Sequence, residues 1–233
     1  MTITYVLMQN LNRNPLRTML TAAAFALPMA VFVAAISLVV LLAKVAAANE
    51  KELRLGVRQK TSLVNLLPEG MRRKIEALDP DRKSLRAVCG MRWFGGRVPD
   101  TQNTLTRLAA DADPFPVVYS DVQMTPEEAK GWREKRTACV AGSGVAEQYH
   151  WKVGDRVTLE STVPPYLTLE FHVVKIMTQT ERCNVFYFRR DYLEESLRTA
   201  GFDNPRCNIF WIKCASAEGL RALQTRIDQA FAN

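Results

Sequence analysis

Residues 13–43 read RNPLRTMLTAAAFALPMAVFVAAISLVVLLA. Two arginines stand at the start. The 26 residues from Thr18 to Ala43 then contain no Asp, Glu, Lys, Arg or His, and twelve of them are Leu, Ile, Val or Phe. Crossing the hydrocarbon core of a bilayer takes about 20 apolar residues in a helix. Inserting those twelve side chains is worth roughly −4 to −7 kcal/mol. The stretch therefore predicts a membrane-spanning helix over 15–45. A buried core helix of this length is the weaker reading. A cleaved signal peptide is a second alternative, with Ala46–Ala48 as its cleavage site, but its apolar region would be about 7–15 residues long.

The flanks refine that span. Asn14 suits an N-cap and Pro15 the first helical position. Arg13 and Arg17 would then mark the level of the headgroups, where long cations snorkel. Residues 1–14 suggest an interfacial helix on the membrane surface. Ala22, Ala26, Ala30 and Ala34 recur every four residues and form a ridge that lets a second helix pack closely. Pro28 should kink the span. After it, KVAAANEKELRL keeps helical character and predicts a stalk to about residue 54.

The chain has 233 residues and a net charge of +7, with only Arg13 and Arg17 charged before residue 44. The remainder of the chain is mildly basic, without a Lys/Arg block or a recognisable nucleic-acid motif, so no nucleic-acid partner is expected. Residues 55–233 predict one α+β extracytoplasmic domain, with 137–180 a smaller β-rich subregion. Expected strands are 116–119, 138–141, 156–160, 169–176, 184–188 and 208–213. Expected helices are 69–78, 126–135, 144–150, 192–200 and 217–231. Thr125 to Glu128 and Asp191 to Glu194 both suggest an N-cap with an acid three residues on. Five cysteines cannot all pair within one chain. If Cys207 and Cys214 share a strand, they face opposite sides of it.

Catalytic patterns are missing. No G-x-x-x-x-G-K-[ST] occurs, so ATP hydrolysis is expected on another subunit. Ser143 lacks the outer glycines of a nucleophile elbow and suits a helix N-cap better. His172 fits a strand as a structural residue. Asp79–Asp81 and Asp111–Asp113 lack the rest of a calcium loop and read as solvated turns. No catalytic residue, cofactor or metal is expected. Two loops stand out as contact candidates. Trp93, Phe94 and Arg97 surround a Gly-Gly pair that is either core with a tight turn or a contact surface. Pro164, Pro165 and Tyr166 form a stiff loop.

Two segments resemble a known family. NLNRNPLRTMLT, at 10–21, is similar to the start of MacB/FtsX-like ABC transporter permeases, through Asn10, Leu11, Arg13, Arg17, Leu20 and Thr21. CVAGSGVAEQYHWKVGDRVTLE, at 139–160, resembles part of their periplasmic domain. NVFYFRRDYLEESL and the final IDQAF resemble its tail.

The resemblance implies a permease subunit of the inner membrane, with its N-terminus cytoplasmic and its main domain periplasmic. It implies a cytoplasmic ABC ATPase as partner, a homodimer or permease partner, and a periplasmic adaptor. Coupling would be mechanical, driving export or extraction of a substrate. Family members carry three further membrane helices after this domain, so a fragment, a split gene or a degenerate anchor is expected. A single-pass anchored binding or assembly protein is the alternative.

Overall fold

The computed structural model describes residues 13–60, 62, 65–101, 106–178 and 182–231. Most of the segment expected to form an interfacial helix lies outside them. The chain divides into two compact units, Met1–Asn49 and Glu50–Asn233.

The first unit is built on one helix, α1, Pro15–Lys51. Its apolar part, Pro15–Lys44, spans 30 residues with a mean hydropathy of 2.7. At about 1.5 Å per residue that is roughly 45 Å, more than a bilayer core requires. Thr18 donates its backbone N–H to the Asn14 carbonyl at 3.1 Å, closing the first turn behind Pro15. Ala22, Ala26, Ala30 and Ala34 are all exposed.

The second unit is α+β, as the alternation of strand and helix signals predicts. Eleven described strands are β1 Arg54–Arg58, β2 Leu67–Pro68, β3 Leu85–Trp93, β4 Gly96–Arg97, β5 Thr106–Ala110, β6 Ala138–Gly142, β7 Arg156–Ser161, β8 Thr168–Met177, β9 Val185–Arg189, β10 Arg206–Cys207 and β11 Ile209–Cys214. Helices α2 Gly70–Ala77, α3 Phe115–Val118, α4 Pro126–Glu134, α5 Ser143–Tyr149, α6 Arg190–Thr199 and α7 Ala217–Ala230 lie between or after them.

Nine strands form one sheet in the order β1-β11-β3-β5-β9-β6-β8-β7-β4. Pairs β5–β9 and β6–β8 are parallel, and the other neighbours are antiparallel. Only two residues separate β3 from β4, yet β4 is at the far edge. Phe94 donates its N–H to Arg107 O on β5 at 3.0 Å, while Gly96 and Arg97 pair with Ser161 and Glu160 on β7. The chain at 94–97 thus bridges the two sides of a curled sheet and closes it like a barrel.

Alternation along the strands sorts side chains between cores. Phe186 and Phe188 of β9, and Cys139 and Ala141 of β6, fill the inside of the curl with Phe94, Phe171, Leu159 and Leu169. Tyr187, Ala138 and Val140 face a second core with Phe115, Tyr119 and Trp132. Helices α2 and α7 cover a third core, where Ile75, Leu220 and Leu223 meet Phe210 and Ile212 of β11.

Several local expectations are corrected. Residues 116–118 lie in helix α3, with Tyr119 at its C-cap, rather than in a strand. Pro114 stands at its N-cap and Pro116 in its first turn, where a missing N–H costs nothing. Helix α6 starts at Arg190, so Asp191 is not its cap. The Asp191 carboxylate instead takes both ends of the Arg189 guanidinium, at 3.0 and 2.6 Å. Gly142, not Ser143, is the N-cap of α5. Cys207 and Cys214 lie on different strands and share the third core. Asp79 is buried and accepts the N–H groups of Ser84 and Leu85 at 2.7 and 2.8 Å, so it is no solvated turn. Asp111 is drawn inward in the same way. The Thr125–Glu128 capping box forms as read.

Candidate functional site

The two loops singled out in the sequence meet in the folded domain. Gly95 O accepts from the Thr162 N–H at 2.6 Å and from its hydroxyl at 2.8 Å. Gly96 then runs beside Ser161 in the β4–β7 pair. A side chain at Gly96 would run into the Phe94 ring, so the corner closes only without one. Phe94 is buried, edge to face with Phe188 at 5.7 Å between centroids. Trp93, one residue earlier, points the other way and is 49% exposed. Phe94 therefore belongs to the core, while Trp93 is half exposed at the surface.

On the facing loop the Pro164–Pro165 peptide bond is cis, and Tyr166 is 77% exposed. Between the loops lies a cavity of about 220 Å³, lined by Trp93, Phe94, Gly95, Val163, Pro164 and Pro165 among others. Arg97 and Tyr166 are not in its wall. Arg97 pairs loosely with Glu160, at 3.7 Å on the surface. Phe202, from the turn after α6, completes the wall and is itself 53% exposed. Sequence reading passed over Phe202 and its neighbours. The available signal was a large apolar residue in the otherwise polar run GFDNP.

Beside this corner sits an ion cluster that sequence reading did not find. Arg190, at the first position of α6, donates to Asp111 Oδ1 at 2.5 Å, Glu194 at 2.7 Å and Glu69 at 2.9 Å. Arg72 binds Asp111 as well, together with Glu69 at 2.6 Å and Val88 O at 2.8 Å. Asp111 also takes the Gly90 N–H at 2.6 Å. Burial lowers the pKa of Arg190, but Asp111 and the other acids outweigh it and hold the guanidinium charged. Burial pushes the Cys207 thiol beside it up to about 12. That thiol stays protonated and is a poor nucleophile. The cluster joins α2, β3, the end of β5 and α6 by saturated pairing, which suits a structural fastening rather than chemistry.

No family model matches this chain, and no curated protein matches it. In fold, the domain is similar to the extracellular domains of ABC-type transporters. One such structure is the extracellular domain of the noncanonic ABC-type transporter YknZ from Gram-positive bacteria, at 12% identity and a TM-score of 0.45, covering 73% of this chain and 86% of that one. Another is the periplasmic region of MacB from Actinobacillus actinomycetemcomitans, at 10% identity and a TM-score of 0.43, covering 73% and 83%.

Function must be read from the chain's own groups. Among the described residues, no cluster of His, Cys, Asp or Glu has a metal-holding arrangement. His172 shares a hydrogen bond of 3.2 Å with the Thr137 hydroxyl on neighbouring backbone, a structural contact. Trp93 and Phe202, each about half exposed, flank the cavity, and Tyr166 is exposed next to Pro165.

Proposed function

We propose that this chain is the permease subunit, or the N-terminal part of one, of a MacB/FtsX-type ABC transporter. One observation carries the reading. A 30-residue apolar helix, Pro15–Lys44, opens within the Asn10–Thr21 segment and comes before an α+β domain whose residues 139–160 resemble part of that family's periplasmic domain. The helix lies in the inner membrane with its N-terminus cytoplasmic, and the domain lies outside. An ATPase subunit supplies the nucleotide chemistry, and its closure moves the domain mechanically to export or extract a substrate. Ala22, Ala26, Ala30 and Ala34 pack against a second permease helix, in a homodimer or with a separate permease partner. The Trp93–Arg97 and Pro164–Tyr166 corner contacts a periplasmic adaptor or the substrate.

The test has two arms. In spheroplasts, external protease should cut the domain and spare a tag placed before Met1. From detergent-solubilised membranes, the tagged chain should carry with it a protein with a Walker A motif. Protection of the domain, or a capture free of any such ATPase, overturns the proposal.

A further inference from the structure

Arg92 precedes Trp93 on β3 and is half buried. A guanidinium offers five N–H donors. Among the described residues, that of Arg92 makes one hydrogen bond, to the Asn204 carbonyl at 3.3 Å, and no carboxylate lies within 4.0 Å. Glu194, the nearby acid, is held by Arg190 at 2.7 Å. Burial pulls the pKa of Arg92 below its ordinary value, and the Glu194 charge only partly offsets this. A desolvated cation with one neutral partner is costly, and an arriving anion relieves that cost.

Arg92 stands where two cavities share a wall. The apolar cavity of about 220 Å³ has Trp93, Val163, Pro164 and Pro165 on one side of it. A polar cavity of about 340 Å³ lies on the other, and both use Arg92, Leu197, Phe202 and Asn204. Ligand sites of about 300–1,000 Å³ combine an apolar lining with a few placed polar groups in this way.

We infer that this cleft binds a small monocarboxylate with an apolar body, its carboxylate on Arg92 and its body between Trp93, Phe202 and the Pro164–Pro165 turn. The planar carboxylate matches the guanidinium fork. A single charge is favoured because the polar wall sets four acids, Asp191, Glu194, Glu195 and Asp203, against Arg92, Arg136 and Arg198, an acidic excess that disfavours a dianion. The inference does not depend on the transporter reading, since it rests on the cleft alone.

Calorimetry on the full chain in nanodiscs, with empty discs as the baseline, tests it using three probes: 4-phenylbutyrate, 4-phenylbutanol and acetate. Saturable binding is expected for 4-phenylbutyrate, with the alcohol roughly tenfold weaker and acetate undetectable. Arg92→Met should weaken 4-phenylbutyrate on the order of tenfold and leave the alcohol unchanged. Trp93→Ala should weaken both. Equal affinity for the acid and the alcohol on the unaltered protein overturns the proposal without relying on any variant. So does the absence of binding above empty discs, or equal affinity of the acid for a folded Arg92→Met protein.

Discussion

Asp111 and Arg190 are 79 residues apart in sequence, and their side chains meet at 2.5 Å between Oδ1 and Nε. Asp111 comes just after the end of β5 and Arg190 opens α6, so the pair ties a strand end to a helix start. Both are largely buried, with 11% and 9% of their side chains exposed. Asp111→Asn would leave Arg190 and Arg72 short of a counter-charge in a place water barely reaches. Breaking a buried pair from one side costs about 3–5 kcal/mol. Urea unfolding followed by circular dichroism should show a loss of that size. A loss under about 1 kcal/mol would mean that Glu69 and Glu194 suffice on their own.

Acid should destabilise the domain through three carboxylates. Hydrogen bonds from the Leu85 and Ser84 N–H groups hold the pKa of Asp79 below its ordinary value, against the opposing effect of burial. Burial raises that of Asp121, but the Arg54 hydrogen bond and the Arg182 charge outweigh it. Glu69 is lowered against the same burial effect by Arg72 and Arg190. A lowered folded pKa contributes stability that is full above the unfolded value, about 4, and is lost as pH falls through the folded value. Glu194, raised by burial, works with the opposite sign. The urea midpoint should hold near neutrality and drop below about pH 4. Asp79→Asn should flatten part of that drop, and an unchanged acid limb in this variant would remove Asp79 from the account.

Gly142→Ala should be costly out of proportion to one methyl group. A Cβ there would run into the carbonyl oxygens of Arg182 and Cys183, which are backbone and cannot swing aside. The Cys183 carbonyl accepts the Val145 N–H at 3.0 Å, so the segment before β9 is fastened to the first turn of α5. Overpacking costs about 1–3 kcal/mol where neighbours can shift, and a rigid obstacle puts this variant at the upper end. Gly154→Ala is a comparison with a different cause. That residue has open space around it but a φ of +98°, so its cost is backbone strain alone. Thermal unfolding should rank Gly142→Ala as the more damaging. The reverse order would show that the segment before β9 gives way easily.

The strands that could be read from sequence are those whose alternation is plain. In VFYFR of β9, Phe186 and Phe188 face one core and Tyr187 the other, with no polar interruption. The central strand β3, LRAVCGMRW, was missed because Arg86, Gly90 and Arg92 break its apolar pattern. Gly90 is there because the ion cluster crowds it. A Cβ would meet the Cys207 sulfur and the Arg72 guanidinium. Strand β1 is short and carries arginine at both ends, and its first residue, Arg54, falls at the end of the expected stalk. The candidate loops were visible as unusual local sequence. Their meeting was not, because it depends on hydrogen bonds such as Thr162 to Gly95, 67 residues apart. Phe202 and Arg92 acquire meaning only once that corner has closed.

The remaining prediction concerns the membrane helix, where the water-driven hydrophobic effect gives no guidance. Helices in lipid associate through close backbone approach, so small residues at every fourth position matter more than apolarity. Ala22, Ala26, Ala30 and Ala34 are exposed on α1, and Leu in their place keeps the helix insertable while filling the ridge. The double change Ala26→Leu and Ala30→Leu should therefore leave membrane insertion and domain stability intact and abolish helix-to-helix association. Cross-linking through a cysteine at residue 22, with the chain in native membranes, measures this directly. Strong cross-linking in the parent and loss in the double variant are expected. A control on the opposite face, Val39→Leu, changes side-chain bulk without touching the ridge and should cross-link as the parent does. Equal cross-linking in all three would mean that no helix packs on the alanines, and the chain would then read as a lone anchor for its domain.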